Sequence, residues 1–424
     1  MANLETIFKQ LIRNPKIKKM SNMRLFSLLI SVFLVSTATA QEGNWSAQLH
    51  RQDGNNINFT FDWNTEKGKP VWFIKNASER IGVSDITALG DSFVVQMPVF
   101  ESQFRFVLNK EKITGVWIKR GAVKTQILPF SAVPGSNRFA SFSNAEKNIT
   151  GRWAVSFGDI ASPEHSVAEF NQQGNLLTGT FLNASGDYRY LEGIVTKDTL
   201  LLSAFDGGHA FLFKAAIKSN AAITSGMFYS GATGKEQWTA VKNSKATVPT
   251  ASVEMFVKPG EESLDFSFKD LNGHKVAINS DRFKNKVTIV QLMGSWCPNC
   301  MDETAFLSNY YNKNKQRGVE VVALAYEYTT NWDRSVNSLK KFQQRFNVQY
   351  PILNTEVSVL DSLRTQKTLP QVTDIKFFPS SIIIDKKGKI RKLDTGFNGP
   401  ATGAHYITYQ QEFEDTIEKL LKEN

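Results

Sequence analysis

Just past its midpoint the chain changes the period of its apolar pattern, and no single fold accommodates both patterns. Up to about residue 243, apolar and polar residues alternate in short runs, as in Asn58-Phe-Thr-Phe-Asp62, Asp91-Ser-Phe-Val-Val95 and Phe104-Arg-Phe-Val-Leu108. Turn residues such as Asp53, Gly54 and Asn55 lie between runs. Alternation with period two places one face of a strand inwards and the other outwards. No amphipathic stretch of three helical turns occurs in this half, and a 12% aromatic content with 31 Phe suits pleated surfaces. Beyond residue 259 strands alternate with helices. At 424 residues the chain exceeds one ordinary core. The reading is a multi-domain protein: a leader at 1–40, an all-β domain at 41–243, a linker at 244–258 and an α/β domain at 259–424.

The β half carries an internal repeat. Gly43-Asn-Trp45 matches Gly151-Arg-Trp153, Asp91-Ser-Phe-Val-Val95 matches Asp198-Thr-Leu-Leu-Leu202, and Ile113-Thr-Gly-Val-Trp117 resembles Ile223-Thr-Ser-Gly-Met-Phe228. Offsets of 108, 107 and about 110 residues predict two copies of one β unit, 43–150 and 151–243. Each copy offers about four to six candidate strands, enough for a barrel or for two packed sheets.

Lys16, Lys18, Lys19 and Arg24 precede the apolar run Leu25–Val35, and Ser36-Thr-Ala-Thr-Ala40 follows as a small-residue cleavage site before Gln41. The run is shorter than the roughly 20 residues that span a bilayer, so cleavage and release are expected rather than stable membrane insertion. No cysteine lies near that site, which excludes a lipoprotein. Residues 1–40 hold six of the 50 basic and one of the 40 acidic residues, so the remainder has 44 against 39, a net charge of +5. That mild surplus forms no basic stripe interleaved with aromatics, and nucleic acid is not an expected partner.

In the α/β half, Lys286–Met293 and Val319–Ala325 are buried-type strands. A helix is predicted from Pro298 to about Arg317, stopped by Gly318. Val336, Leu339, Phe342 and Phe346 stripe the next helix, Tyr350–Leu353 reads as a short strand, and Val357, Leu360 and Leu363 mark a further helical turn or two. Ser380–Asp385 and Lys389–Leu393 form a hairpin, and Thr408–Leu421 a closing helix with Thr408 and Gln411 as a capping box.

The chain has two cysteines, Cys297 and Cys300, three positions apart. A structural disulfide across two intervening residues closes almost no loop. Zinc needs two further ligands, and His50, His165, His209, His274 and His405 offer no close pair; no metal or other cofactor is implied. Met301 stands where a c-type haem site requires His. Redox chemistry remains. Cys297 falls where strand gives way to helix, so unpaired N–H groups and the helix dipole favour its thiolate. Cys300, one turn on, can attack a mixed disulfide formed at Cys297. Pro298 suits the first helical position, where its missing N–H is not needed.

Residues 263–424 resemble the TlpA/ResA-type branch of the thioredoxin family. The resemblance rests on Asp265-Phe-Ser-Phe-Lys-Asp-Leu-Asn-Gly-His-Lys-Val276, Gly294-Ser-Trp-Cys-Pro-Asn-Cys300 and Phe378-Pro-Ser-Ser-Ile-Ile-Ile-Asp-Lys-Lys-Gly388. It implies a thioredoxin fold and a redox-active disulfide in which Cys297 attacks and Cys300 resolves. It makes Pro379 the cis-proline, and with Phe378 the loop that holds substrate backbone against the disulfide. Trp296 shields the thiols. Glu303 matches an acid that many such reductases carry three residues after the second cysteine, whereas Gln291 stands where cytosolic thioredoxins bury an acid. Read without the resemblance, Glu303 is an exposed acid of the first helical turns.

The expected function is reduction of disulfides in exported, periplasmic client proteins, with a membrane thiol donor for recharging. A peroxidase would need a Thr-x-x-Cys site, which is missing. A third reading makes this a ligand- or partner-binding β protein with an accessory redox domain. A lined cavity in the β half would favour it and a filled core would not. His165 and His209 read as turn or surface residues.

Overall fold

The computed structural model describes residues 42–423 apart from 142, 160 and 250–253. The leader and the cleavage site before Gln41 lie outside the described residues. Among the described residues no helix is long and apolar enough to cross a membrane.

Alternation in the first β unit resolves into nine strands: β1 Gly43–Leu49, β2 Ile57–Glu66, β3 Lys69–Asn76, β4 Glu79–Val83, β5 Ile86–Leu89, β6 Ser92–Gln96, β7 Ser102–Asn109, β8 Lys112–Arg120 and β9 Thr125–Pro134. The second unit repeats them: β10 Gly151–Phe157, β11 Glu164–Gln173, β12 Leu176–Asn183, β13 Gly186–Asp187, β14 Leu191–Thr196, β15 Thr199–Phe205, β16 Ala210–Ser219, β17 Ala222–Ser230 and β18 Gly234–Lys242. The first strands begin at 43 and 151 and the last at 125 and 234, so the repeat seen in sequence is a repeat of structure. Nine strands per copy exceed the four to six expected. Short strands such as β4, β5 and β13 are too brief to display a full alternation.

Both units pair their first strand with the second and the last, β1 with β2 and β9, β10 with β11 and β18. They differ at one seam. In the second unit β12 pairs with β11 and with β14, closing a ring of eight antiparallel strands. In the first, the order β4-β3-β2-β1-β9-β8-β7-β6-β5 leaves β4 and β5 as edges. That sheet still curls around its own core, bringing Trp63 on β2 to 5.4 Å from Phe93 on β6.

Both interiors are filled. Trp45, Phe59, Phe61, Trp63, Trp72, Phe104 and Phe106 are fully buried in the first unit, with Phe61 stacked on Trp72 at 4.2 Å. Trp153, Phe181, Phe213 and Trp238 fill the second, with Phe181 on Phe213 at 4.4 Å. An eight-stranded barrel is just wide enough for its side chains to fill it. Phe205 and Leu212 of the second unit complete the core of the first.

The C-terminal half is a seven-stranded sheet of β19 Ser267–Asp270, β20 Lys275–Ala277, β21 Val287–Met293, β22 Val319–Ala325, β23 Ile352–Asn354, β24 Ser380–Ile384 and β25 Ile390–Thr395. Its order is β20-β19-β23-β22-β21-β24-β25, with β21, β22 and β23 parallel. Every residue of β21 and β22 is buried, Thr288, Gln291 and Glu320 included, as strands covered on both faces by helix layers require. The helices are α1 Pro298–Asn314, α2 Trp332–Arg345, α3 Arg364–Thr368 and α4 Ala404–Lys422. After α1 a 3-10 turn, Lys315–Arg317, ends at Gly318 with φ 91°, the expected stop.

Two helical expectations need correction. Residues 357–363 are not helical, and Leu360 and Leu363 are 61% and 52% exposed, so their spacing marks no core face. Helix α4 begins at Ala404 with no side-chain cap; Thr408 lies inside it, so there is no capping box.

The halves are packed together. Ala246 is buried against Val167 and Leu182, Met255 enters the C-terminal core, and Val257 bridges to Val372. Val99 and Phe100, between β6 and β7, join the core around the cysteines, and Arg334 on α2 forks onto both oxygens of Glu101 at 2.9 and 2.6 Å. The second unit meets the hairpin end through a Gly186–Phe397 bridge.

Gly115 on β8 and its counterpart Gly226 on β17 mark places where strands approach too closely for a side chain. A Cβ would sit 2.1 Å from the Arg105 carbonyl oxygen at the first and 2.5 Å from that of Trp238 at the second. Gly115→Val is expected to destabilise the protein by about 1–3 kcal/mol, as overpacking does. Urea denaturation reads this, and an unchanged midpoint would show the strands parting without cost.

Candidate functional site

Strand β21 ends at Met293, and the chain turns through Gly294-Ser-Trp296 into α1. Cys297 is the N-cap of α1: its backbone is extended, and its Sγ accepts the Cys300 N–H at 3.2 Å. Pro298 occupies the first helical position. Cys297 and Cys300 are joined in a disulfide with Cα atoms 5.2 Å apart. Cys300 is fully buried and Cys297 is 3% exposed, so the outer sulfur is the one an incoming group can meet. A thiolate at Cys297 would accept that same N–H and face the positive end of the helix.

The Phe378–Pro379 bond is cis, and the Phe378 carbonyl oxygen lies 3.5 Å from Cys297 Sγ. Trp296 donates its Nε1–H to the Tyr326 carbonyl at 2.8 Å, stacks on Tyr328 at 5.3 Å and meets the edge of Phe378 at 5.8 Å. Trp296, Pro298, Phe378 and Pro379 thus gather at the disulfide. Glu327, which the sequence did not single out, accepts the Ser295 N–H at 2.7 Å and its hydroxyl at 2.6 Å, fixing the turn before Cys297. Burial pushes this carboxyl up to about 7 against those two hydrogen bonds.

Glu303 is not an exposed acid: it is 1% exposed. Its Oε2 accepts from Gln291 Nε2 at 2.8 Å and its Oε1 from Ser381 Oγ at 2.7 Å. Gln291 is thus the partner of the acid rather than only a vacant place for one. Burial raises the Glu303 carboxyl to about 7, with the Ser381 and Gln291 hydrogen bonds opposing.

The β half supplies the other wall. Arg189, in a left-handed backbone conformation (φ 57°), inserts its guanidinium between the halves. It donates to the Pro298 carbonyl at 2.9 Å and to Glu79, and pairs with Asp302 at 3.1 Å. Burial pushes Asp302 up to about 7, opposed by Arg189. Asp187 accepts the N–H groups of Arg189 and Gly399 at 2.6 and 2.7 Å. His209 lies in the turn between β15 and β16, as expected, but is four-fifths buried, with its Nδ1 3.1 Å from Asp206. Burial lowers the His209 pKa, while Asp206, despite its own burial, is held at about 2 by His209 and the N–H groups it accepts. No spacing in the sequence announces these residues, because they come from segments far apart in the chain.

The fold and this pair of sulfurs define a thioredoxin-like thiol–disulfide oxidoreductase. Residues 258–406 match the Redoxin family. The same region is 27% identical over 141 residues to the thiol-disulfide oxidoreductase ResA of Bacillus subtilis, covering 33% of this chain and 69% of that one. ResA of Bacillus cereus is likewise 27% identical over 139 residues, covering 33% and 70%. A solved structure of a putative protein disulfide isomerase from Bacteroides thetaiotaomicron is similar at 20% identity, covering 40% of this chain and 93% of that chain with a TM-score of 0.30.

The buried Glu303 makes a pH prediction. Its native pKa near 7 lies above its ordinary 4.5, so between these values only the folded state keeps the proton and stability falls as pH rises. The full loss above pH 7 is about 3 kcal/mol at most. Glu303→Gln should therefore gain stability relative to the parent on going from pH 4.5 to pH 8. Urea denaturation at both pH values measures it, and a constant difference would mean that Glu303 does not titrate in this range.

Proposed function

We propose that the protein is exported and reduces disulfides of proteins outside the cytoplasm. The observation that carries this is the asymmetry of the pair: Cys297 reaches the space between the halves while Cys300 is sealed beneath it. In the reduced enzyme the Cys297 thiolate attacks a substrate disulfide, one substrate sulfur leaves as thiolate, and a mixed disulfide forms. Cys300 gives up its proton and attacks Cys297 Sγ, releasing the second substrate thiolate and closing the Cys297–Cys300 disulfide. Two electrons pass to the substrate, and the departing thiolates take up two protons. A membrane thiol donor restores the dithiol.

Glu303 is one turn beyond Cys300 on α1 and carries a pKa near 7, which suits it to hold or return the Cys300 proton. Trp296 shields the sulfurs, and the Phe378–Pro379 loop with Pro298 holds the substrate. Export rests on the basic, apolar and small-residue succession through Ala40, with release into the periplasm of a bacterium. Of the alternative, a ligand- or partner-binding β protein with an accessory redox domain, the ligand-binding form is disfavoured by the filled cores, since a binding barrel keeps a lined cavity.

Cys297→Ser should abolish disulfide reduction, whereas Cys300→Ser should accumulate mixed disulfides visible on non-reducing gels. Equal activity of both variants would refute the assignment. The native protein should begin at Gln41 on N-terminal sequencing; a chain starting at Met1, Met20 or Met23 would mean a retained leader.

A further inference from the structure

Resting on the reductase reading, we infer that the cleft between the β half and the disulfide is a substrate-selecting site that admits slim disulfides bearing neutral or cationic groups and disfavours anionic ones. The cleft measures about 190 Å³. Cys297, Trp296 and Phe378 line one wall, and Tyr188, Tyr190 and Phe211 of the second β unit face them. An apolar cavity of about 150 Å³ takes up benzene. This one therefore holds a cysteine side chain with part of a neighbouring residue, or a low-molecular-mass disulfide, but not the face of a folded domain.

The cleft also holds an unused polar group. Asn299, in the first turn of α1 two residues after Cys297, is 8% exposed, and its Oδ1 has no hydrogen-bond partner. Its amide nitrogen is pinned against Gly186, where a Cβ would lie 2.0 Å away. Asn299 lines the cleft beside Cys297, so the one unpaired polar atom of this turn lies within two residues of the sulfur that meets substrate.

Charge sets the preference. Glu79, Asp187, Asp206 and Arg189 line the cleft together with His209. Arg189 balances Glu79 in a direct ion pair. Asp187 and Asp206 add two carboxyl groups to that pair, so three carboxyls stand against one guanidinium on the cleft wall. The ring walls add a face that attracts ammonium or guanidinium groups.

The step is the balanced exchange already given, with the dithiol as reductant, so a single turnover of pre-reduced full-length protein needs no donor. Rates are followed by intrinsic tryptophan fluorescence with cystamine (dicationic), hydroxyethyl disulfide (neutral) and oxidised glutathione (anionic). Each is divided by the rate of dithiothreitol with the same disulfide. The normalised rates should fall in that order, with about tenfold or more between the extremes at low salt and less at high salt. Ser185→Lys, which sets a cation on the cleft wall, should narrow or reverse the order. A lysine-flanked cyclic disulfide peptide separates the two sources: faster exchange than cystamine assigns the site to polypeptide loops, and slower exchange to small disulfides. Equal normalised rates for the three probes, unmoved by Ser185→Lys, would overturn the selectivity while leaving the reductase reading intact. Exchange with none of them, nor with any protein disulfide, would overturn the reductase reading itself.

Discussion

The Arg189 guanidinium donates to Glu79 on the first β unit and to the Pro298 carbonyl at the start of the redox helix, and it pairs with Asp302 one turn further along. Three segments that never approach one another in sequence are thereby fixed around one buried cation. The neighbouring carboxylates keep it charged in spite of burial. Removing one partner of such a cluster leaves an uncompensated buried charge, a loss of about 3–5 kcal/mol. The left-handed backbone at Arg189 and the Asp187 carboxylate, which ties the same turn to Gly399, set the guanidinium in place. From this contact follow the position of the cleft and the coverage of Cys297.

The two β units need not hold a ligand inside to matter. Their interiors are packed with aromatic rings, and their function-bearing residues lie on the outside, at the turns that meet the α/β half. Duplication supplies one closed barrel and one open, curled sheet, and the two contribute differently. The open unit gives Glu79, Val99, Phe100 and Glu101 to the junction, and the closed one gives Gly186, Asp187 and Arg189. The redox helix is left with one accessible sulfur, facing a narrow space whose far wall belongs to another domain.

The chemistry was legible in sequence because it is local. A C-x-x-C at a strand-to-helix turn places a thiol at an N-cap whatever surrounds it, and the β-branched, largely apolar segments Val287–Met293 and Val319–Ala325 read as buried strands despite Thr288, Gln291 and Glu320. The repeat was legible through Trp45 and Trp153, whose shared surroundings keep their spacing. The remainder depended on tertiary contact. Glu303 reads as a surface acid until Gln291 and Ser381 are brought to it from two strands. Leu360 and Leu363 have helical spacing, yet no neighbouring element covers them. Helix α4 starts without a capping side chain, so its first residue carries no signal. Arg189, Asp187 and His209 acquire meaning only when the β half folds over the disulfide.

Which sulfur faces outward when the disulfide is opened decides where substrate meets the protein. Reduced full-length protein, treated with limiting iodoacetamide at neutral pH and digested for mass spectrometry, reports this directly. Label at Cys297 with Cys300 protected is the predicted result, since Cys297 caps the helix and lines the cleft. Label arriving first at Cys300 would contradict the assignment of the attacking thiol and the placement of the substrate site with it.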